Sequence, residues 1–202
     1  MNPVVMPNDD FQHIPLRAHA ILHAARLMDV WAVPLRGGGP GRTVQDVIMM
    51  IENSSPTELN PGVRGLFWLR EMLGRVFGWE APRDAPPTPP APQSYVHRLP
   101  PELAAASHLA PGTQRGPLRV LYQLDDELLA EVLNATAHAF VSFTLRPQDN
   151  SPDYLALVAV YVIETKWWTR YYLALIEPFR HYAVYPSLMR TFQRRWAAHH
   201  AR

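Results

Sequence analysis

The chain has 202 residues, of which 48% are hydrophobic and 18% charged, with 19 basic against 18 acidic side chains and no cysteine. That is ample apolar material for a core, so global disorder is excluded. The near-zero charge balance excludes a dedicated nucleic-acid binder, and the missing cysteines exclude disulfides and every thiolate site.

Length predicts a single domain over residues 1–202. Residues 1–11 contain no basic stretch followed by an apolar run, so they do not read as a signal peptide. The longest uninterrupted apolar segment, Tyr154–Ile163, is about half the ~20 residues a membrane span needs. These features predict a cytoplasmic protein with no membrane span.

Residues 1–16 read as an irregular tail. An extended segment follows over Asp29–Leu35, where Val30, Ala32 and Pro34 alternate with Trp31, Val33 and Leu35. Gly37–Gly41 ends it. That glycine run lacks both a phosphate-loop ending and a dinucleotide fingerprint, so it reads as a flexible turn. Thr43 is the N-cap of a short amphipathic helix carrying Val44, Val47, Ile48 and Ile51. A second short helix spans Val63–Gly78. The segment Ala81–Pro92 then holds six prolines and can be neither helix nor central strand. It centres a Pro-rich surface loop over residues 80–102, with a domain linker or a polyproline ligand as alternatives.

The next runs have short connections and no helix between them, which predicts an antiparallel meander. They are Leu118–Leu124, a turn at Asp125-Asp126, Leu128–Asn134, Ala137–Leu145, a turn over Arg146–Pro152, and Tyr154–Thr165. Leu128–Leu133 also suits a helix on propensity. From Trp167 to His200 the period is helical. One face carries Tyr172, Leu175, Ile176, Phe179 and Ala183, and the apolar set changes beyond Pro186 to Leu188, Met189, Phe192 and Trp196. Pro178 and Pro186 predict a kink near Pro186 that returns the second stripe to the sheet. The expected class is therefore α+β: a curved antiparallel sheet on a long kinked C-terminal helix, with two short helices in the N-terminal half.

Several segments resemble a bacterial family of domains of unknown function, DUF2867. They are Gly112, Pro117–Tyr122, Asn134–Ala139, Tyr172–Arg180 and Val184-Tyr185-Pro186, with weaker similarity at Asp29–Leu35 and Val63–Arg70. The resemblance implies a START-like helix-grip fold of the polyketide-cyclase (SRPBCC) superfamily. The family has no established activity, so it carries over no catalytic residue.

Candidate chemistry is sparse. His19 and His23 have helical metal-ligand spacing but no third ligand nearby, and no metal site or cofactor is expected. His199 and His200 read as a frayed terminus. His138 shares a strand face with Phe140, Ser142 and Thr144. On a face lining a cavity it would titrate near neutral pH, while the plainer alternative is a histidine bonded to a backbone carbonyl or standing in solvent. Ser142 lacks the glycines of a nucleophile elbow. Arg180 either pairs with Glu177 on the surface or points inward to hold an acidic group.

Three functions follow. The first is a non-catalytic binding module for a small apolar or amphipathic ligand held between sheet and C-terminal helix by His138, Phe140, Ser142, Tyr172, Phe179 and Arg180. The second is an interaction protein using the Pro-rich loop. The third is a cyclase- or hydrolase-like enzyme with His138 as general base. A strand edge or the second helix offers a surface for a homodimer.

Overall fold

The computed structural model describes residues 2–52, 93–116, 118–133, 137–164, 174, 177–178 and 180–200. The helix expected over Val63–Gly78, the proline cluster, Tyr172 and Phe179 lie outside the described residues.

The strands are β1 (Val4–Val5), β2 (Arg26–Leu35), β3 (Gln114–Arg115), β4 (Leu118–Gln123), β5 (Glu127–Leu133), β6 (Ala137–Pro147) and β7 (Tyr154–Glu164). They form one open, curved antiparallel sheet of seven strands in the order β1-β2-β7-β6-β5-β4-β3. β4 to β7 are the predicted meander, and β2 joins it beside β7. Five helices are described: α1 (Asn8–Gln12), α2 (Arg17–Ile21), α3 (Val44–Glu52), α4 (Pro101–Ala106) and α5 (Tyr185–His200), with a 3-10 turn at Tyr95–Arg98.

Because strand side chains alternate, the sheet has two buried faces. On one lie Val30, Ala32, Leu129, Phe140, Leu157, Ala159 and Tyr161, covered by Phe11, Ala18, Ile21 and Tyr95. On the other lie Trp31, Val33, Leu35, Leu128, Ala130, Ala156 and Val158, covered by Val44 and Val47 of α3 and by Met189, Phe192 and Trp196 of α5. Each full burial of a large apolar side chain contributes about 1.5–3 kcal/mol, so both layers matter to stability. Burial on both faces also explains β5. Its Leu-rich run shows no polar alternation, which is why the run, expected as a strand, also suited a helix on propensity.

Several expectations need correction. Residues 1–16, expected to be irregular, contain β1 and α1, with Phe11 fully buried. The Pro-rich loop, expected to run to residue 102, already has the 3-10 turn and the start of α4 within its last eight residues, and Tyr95 is buried. Leu188, expected on the buried stripe, is 41% exposed. A π-helical segment, Arg180–Val184, lies immediately before α5, where a proline kink was expected. Pro186 therefore falls in the first turn of α5, where a missing amide hydrogen costs least.

Candidate functional site

Three places carry buried or converging polar groups. The first is the face of the sheet covered by the N-terminal segments, where the register brings Glu127, Glu131, His138, Ser142 and Thr144 to one side. All five are at most 2% exposed. Glu127 accepts from the backbone N–H of Arg17 (3.1 Å) and Ala18 (2.9 Å) and from the Tyr122 hydroxyl (2.6 Å). Leu16, at the N-cap position of α2, has no side-chain acceptor, so Glu127 caps that helix from the strand. Burial, and then the neighbouring Glu127 carboxylate, push the Tyr122 phenol well above its ordinary range.

Glu131 does the same for the 3-10 turn. It accepts from Tyr95 N–H (3.0 Å), from the Ser94 hydroxyl and from His138 Nε2 (2.8 Å). Burial acts to raise the pKa of Glu131, but the bonds from His138, Ser94 and Tyr95 outweigh it and hold the carboxyl below its ordinary value. His138 is 1% exposed and packs against Tyr95 and Phe140, with ring centroids 5.2 and 4.2 Å away. Its Nε2 is committed to Glu131, so the group a general base would offer to a substrate is already bonded and out of solvent.

The second place is on the opposite face, where π segment and sheet meet. A bulge at Met28 turns Asp29 to this side, opposite Val160. Arg180 Nη2 donates to Asp29 Oδ2 at 2.8 Å, and the side chains are 9% and 8% exposed. Trp31 and Tyr185 lie beside the pair, their ring centroids 6.1 Å apart. Burial, reinforced by Asp29 against the opposing pull of Arg180, pushes Tyr185 up to about 12. Among the described residues, neither Trp31 Nε1 nor Arg180 Nε has a hydrogen-bond partner, although both are buried. Leaving such a donor unsatisfied costs about 1–3 kcal/mol, more for a charged group.

His138, Phe140 and Ser142 thus share a face as the alternation predicts, but that face lies under the N-terminal segments and not under α5. Arg180 points inward, yet on the far side of the sheet. The expectation that one pocket beneath the C-terminal helix joins these residues is corrected on that point. Period-two alternation says which residues share a face and is silent on which element covers it. His19 is likewise occupied, its ring nitrogens near Tyr161 Oη (3.1 Å) and the Phe11 carbonyl (3.2 Å). Among the described residues no group of three or more acidic or histidine side chains is placed to hold a metal ion.

The third place was not found from the sequence. An open cleft of about 610 Å³ lies at one end of the sheet, between the glycine turn, the Asp125-Asp126 turn and the β6–β7 hairpin. Leu145 and Tyr154, both part of the helix-side core, line it together with Arg42, Pro147, Ser151 and Pro152. The glycine turn is pinned here. Tyr154 Oη donates to the Gly39 carbonyl (2.8 Å) and accepts from Arg42 N–H (3.1 Å), while Gly37 N–H donates to Asp153 (2.7 Å). At Gly38, φ is +110°, and a Cβ would sit 2.9 Å from Trp196 Cζ2, so only glycine fits. The turn read as flexible is therefore a fixed wall, and the signal for it, Tyr154 opposite Leu35 in the strand ladder, is a long-range pairing.

No helix among the described residues is long and apolar enough to cross a membrane. No curated protein and no solved structure matches the chain. The model of one family, described as a protein of unknown function (DUF2867), matches residues 21–187, a span running from α2 through every strand of the meander to the first turn of α5. That span includes Asp29 beside the bulge, its partner Arg180 and all the strands that frame the cleft, and the chain belongs to the DUF2867 family.

Proposed function

We propose that this protein is a non-catalytic binding module for a small amphipathic molecule, held in the cleft at the end of the helix-side layer. The observation that carries the reading is the cleft itself. Its volume of about 610 Å³ falls within the ~300–1,000 Å³ usual for small-molecule sites. Its floor is apolar, and charged groups from Arg42, Asp125 and Asp126 stand at its edge. The same proposal takes the sheet and α5 as a START-like helix grip. Support comes from the strand order around β7 and from α3 and α5 packing on the same face. The buried, bonded state of His138 favours binding over general-base catalysis.

The test is a thermal-shift and native mass-spectrometry screen with benzylamine, phenethylamine and 2-phenylethanol. A compound at about a hundred times its Kd adds roughly 2.7 kcal/mol, raising Tm by roughly 5–10 °C in a protein of this size. Ser151→Trp places an indole at the exposed rim of the cleft and should abolish that shift while leaving the unliganded Tm unchanged. An undiminished shift in Ser151→Trp, or no shift with any of the three, counts against the cleft.

A further inference from the structure

About 20 Å along β2 from the cleft, at ~3.3 Å per residue from Leu35 to Asp29, the helix-side layer contains the cluster of Asp29, Trp31, Arg180, His181 and Tyr185. Two N–H donors there, Trp31 Nε1 and Arg180 Nε, are buried with no acceptor among the described residues, although Trp31 and Arg180 are only 5% and 7% exposed. They flank one ring: the Arg180 guanidinium carbon lies 5.8 Å from the Tyr185 centroid, and the Trp31 ring lies 6.1 Å from it. Buried donors in a native fold normally find an acceptor, so two unmet ones around one aromatic ring mark a place where an acceptor belongs.

The cover over this cluster is the π-helical segment Arg180–Val184, a wide-ring geometry frequently found at functional sites. It is thin: Tyr182 is 80% exposed, and the His181 side chain is 36% exposed with Nδ1 3.9 Å from Asp29 Oδ1.

We propose that Trp31 Nε1–H and Arg180 Nε–H are the donors of a second binding site, which takes an organic carboxylate carrying an aromatic or apolar body. A carboxylate oxygen satisfies planar N–H donors, and the body of the ligand packs on Trp31 and Tyr185. Asp29 already neutralises Arg180 through Nη2, which decides between anions: a singly charged carboxylate is accommodated, whereas a phosphate dianion meets the Asp29 carboxylate. The site uses no residue of the cleft and stands or falls separately from it.

The test follows indole N–H signals of the full chain by ¹⁵N NMR during titration with 3-phenylpropionate. There are six tryptophans, and the signal lost in Trp31→Phe identifies the relevant one. We expect a saturable shift of the Trp31 signal, at least fivefold weaker binding of 3-phenylpropanol and phenyl phosphate, and the same response in Ser151→Trp. Trp31→Phe leaves the Asp29–Arg180 pair in place and should weaken binding at least fivefold, read well below its own Tm because the smaller ring also loosens the core. Arg180→Lys, which keeps the charge and loses Nε–H, should weaken it at least tenfold. A Trp31 indole unmoved throughout the titration, equal affinity in Trp31→Phe, or tighter binding of phenyl phosphate would overturn the proposal.

Discussion

Glu127 and Glu131 stand four residues apart on β5, on the same buried face, and each carboxylate closes the N-terminal end of a different helical segment. One strand thereby fastens both the N-terminal α2 and the 3-10 turn that follows the Pro-rich stretch. The N-termini of helical segments carry unpaired N–H groups and partial positive charge, so a carboxylate is the side chain best suited to each position.

Removing Glu127 leaves the Arg17 and Ala18 amides and the Tyr122 hydroxyl without their acceptor. Glu127→Ala should cost about 2–4 kcal/mol, measured by urea denaturation. Hydrogen exchange should accelerate first in residues 17–21. A loss below half a kcal/mol would show that the cap is idle.

Glu131 gives the protein an acid limb. Its folded-state pKa lies below the unfolded value, so its contribution is fully present above the ordinary glutamate range and is lost as pH falls through the depressed folded value. Stability should therefore decline with acidification below about pH 4.5. Glu131→Gln should be less stable at pH 7 and flatter across that window. Parallel acid limbs in the two proteins would contradict the assignment.

The Asp29–Arg180 pair joins β2 to the segment leading into α5 across 151 residues of chain. Both side chains are buried, so removing one partner strands a charge. Asp29→Ala should cost about 3–5 kcal/mol, read as a lower urea midpoint. Asp29→Ala with Arg180→Met should recover much of that loss, because the exposed fault is the unpaired ion.

At the cleft, Tyr154→Phe removes the hydroxyl that holds Gly39 and Arg42 and leaves the ring packed on Trp196, 5.9 Å away. The expected cost is about 1–2 kcal/mol, with faster exchange in residues 37–42 and weaker binding of cleft ligands. An unchanged glycine turn would mean that other contacts fix it.

Much of the sheet was legible because alternation and turn chemistry are local. Val30 to Leu35, Asp125-Asp126 and the β6–β7 connection all fall where residue pattern places them. Which side of the sheet each element covers was not legible. His138, Phe140 and Ser142 were correctly put together, but the element above them is set by Glu127 and Glu131 reaching α2 and the 3-10 turn, contacts more than 30 residues apart in sequence. Buried Glu127 and Glu131 also look like surface residues in composition, because a carboxylate's partner decides its burial. The cleft depends on Tyr154 meeting a glycine turn 115 residues away, which no local pattern announces.

The most direct measurement is amide chemical-shift mapping of the uniformly labelled chain with whichever screening compound raises Tm most. If ligand binding is the function, perturbations gather at Gly39–Arg42, Asp125-Asp126, Leu145 and Ser151–Tyr154, while the face holding His138 stays silent. Perturbations centred on Glu131, His138 and Phe140 would place the site on the wrong side of the sheet and contradict this reading.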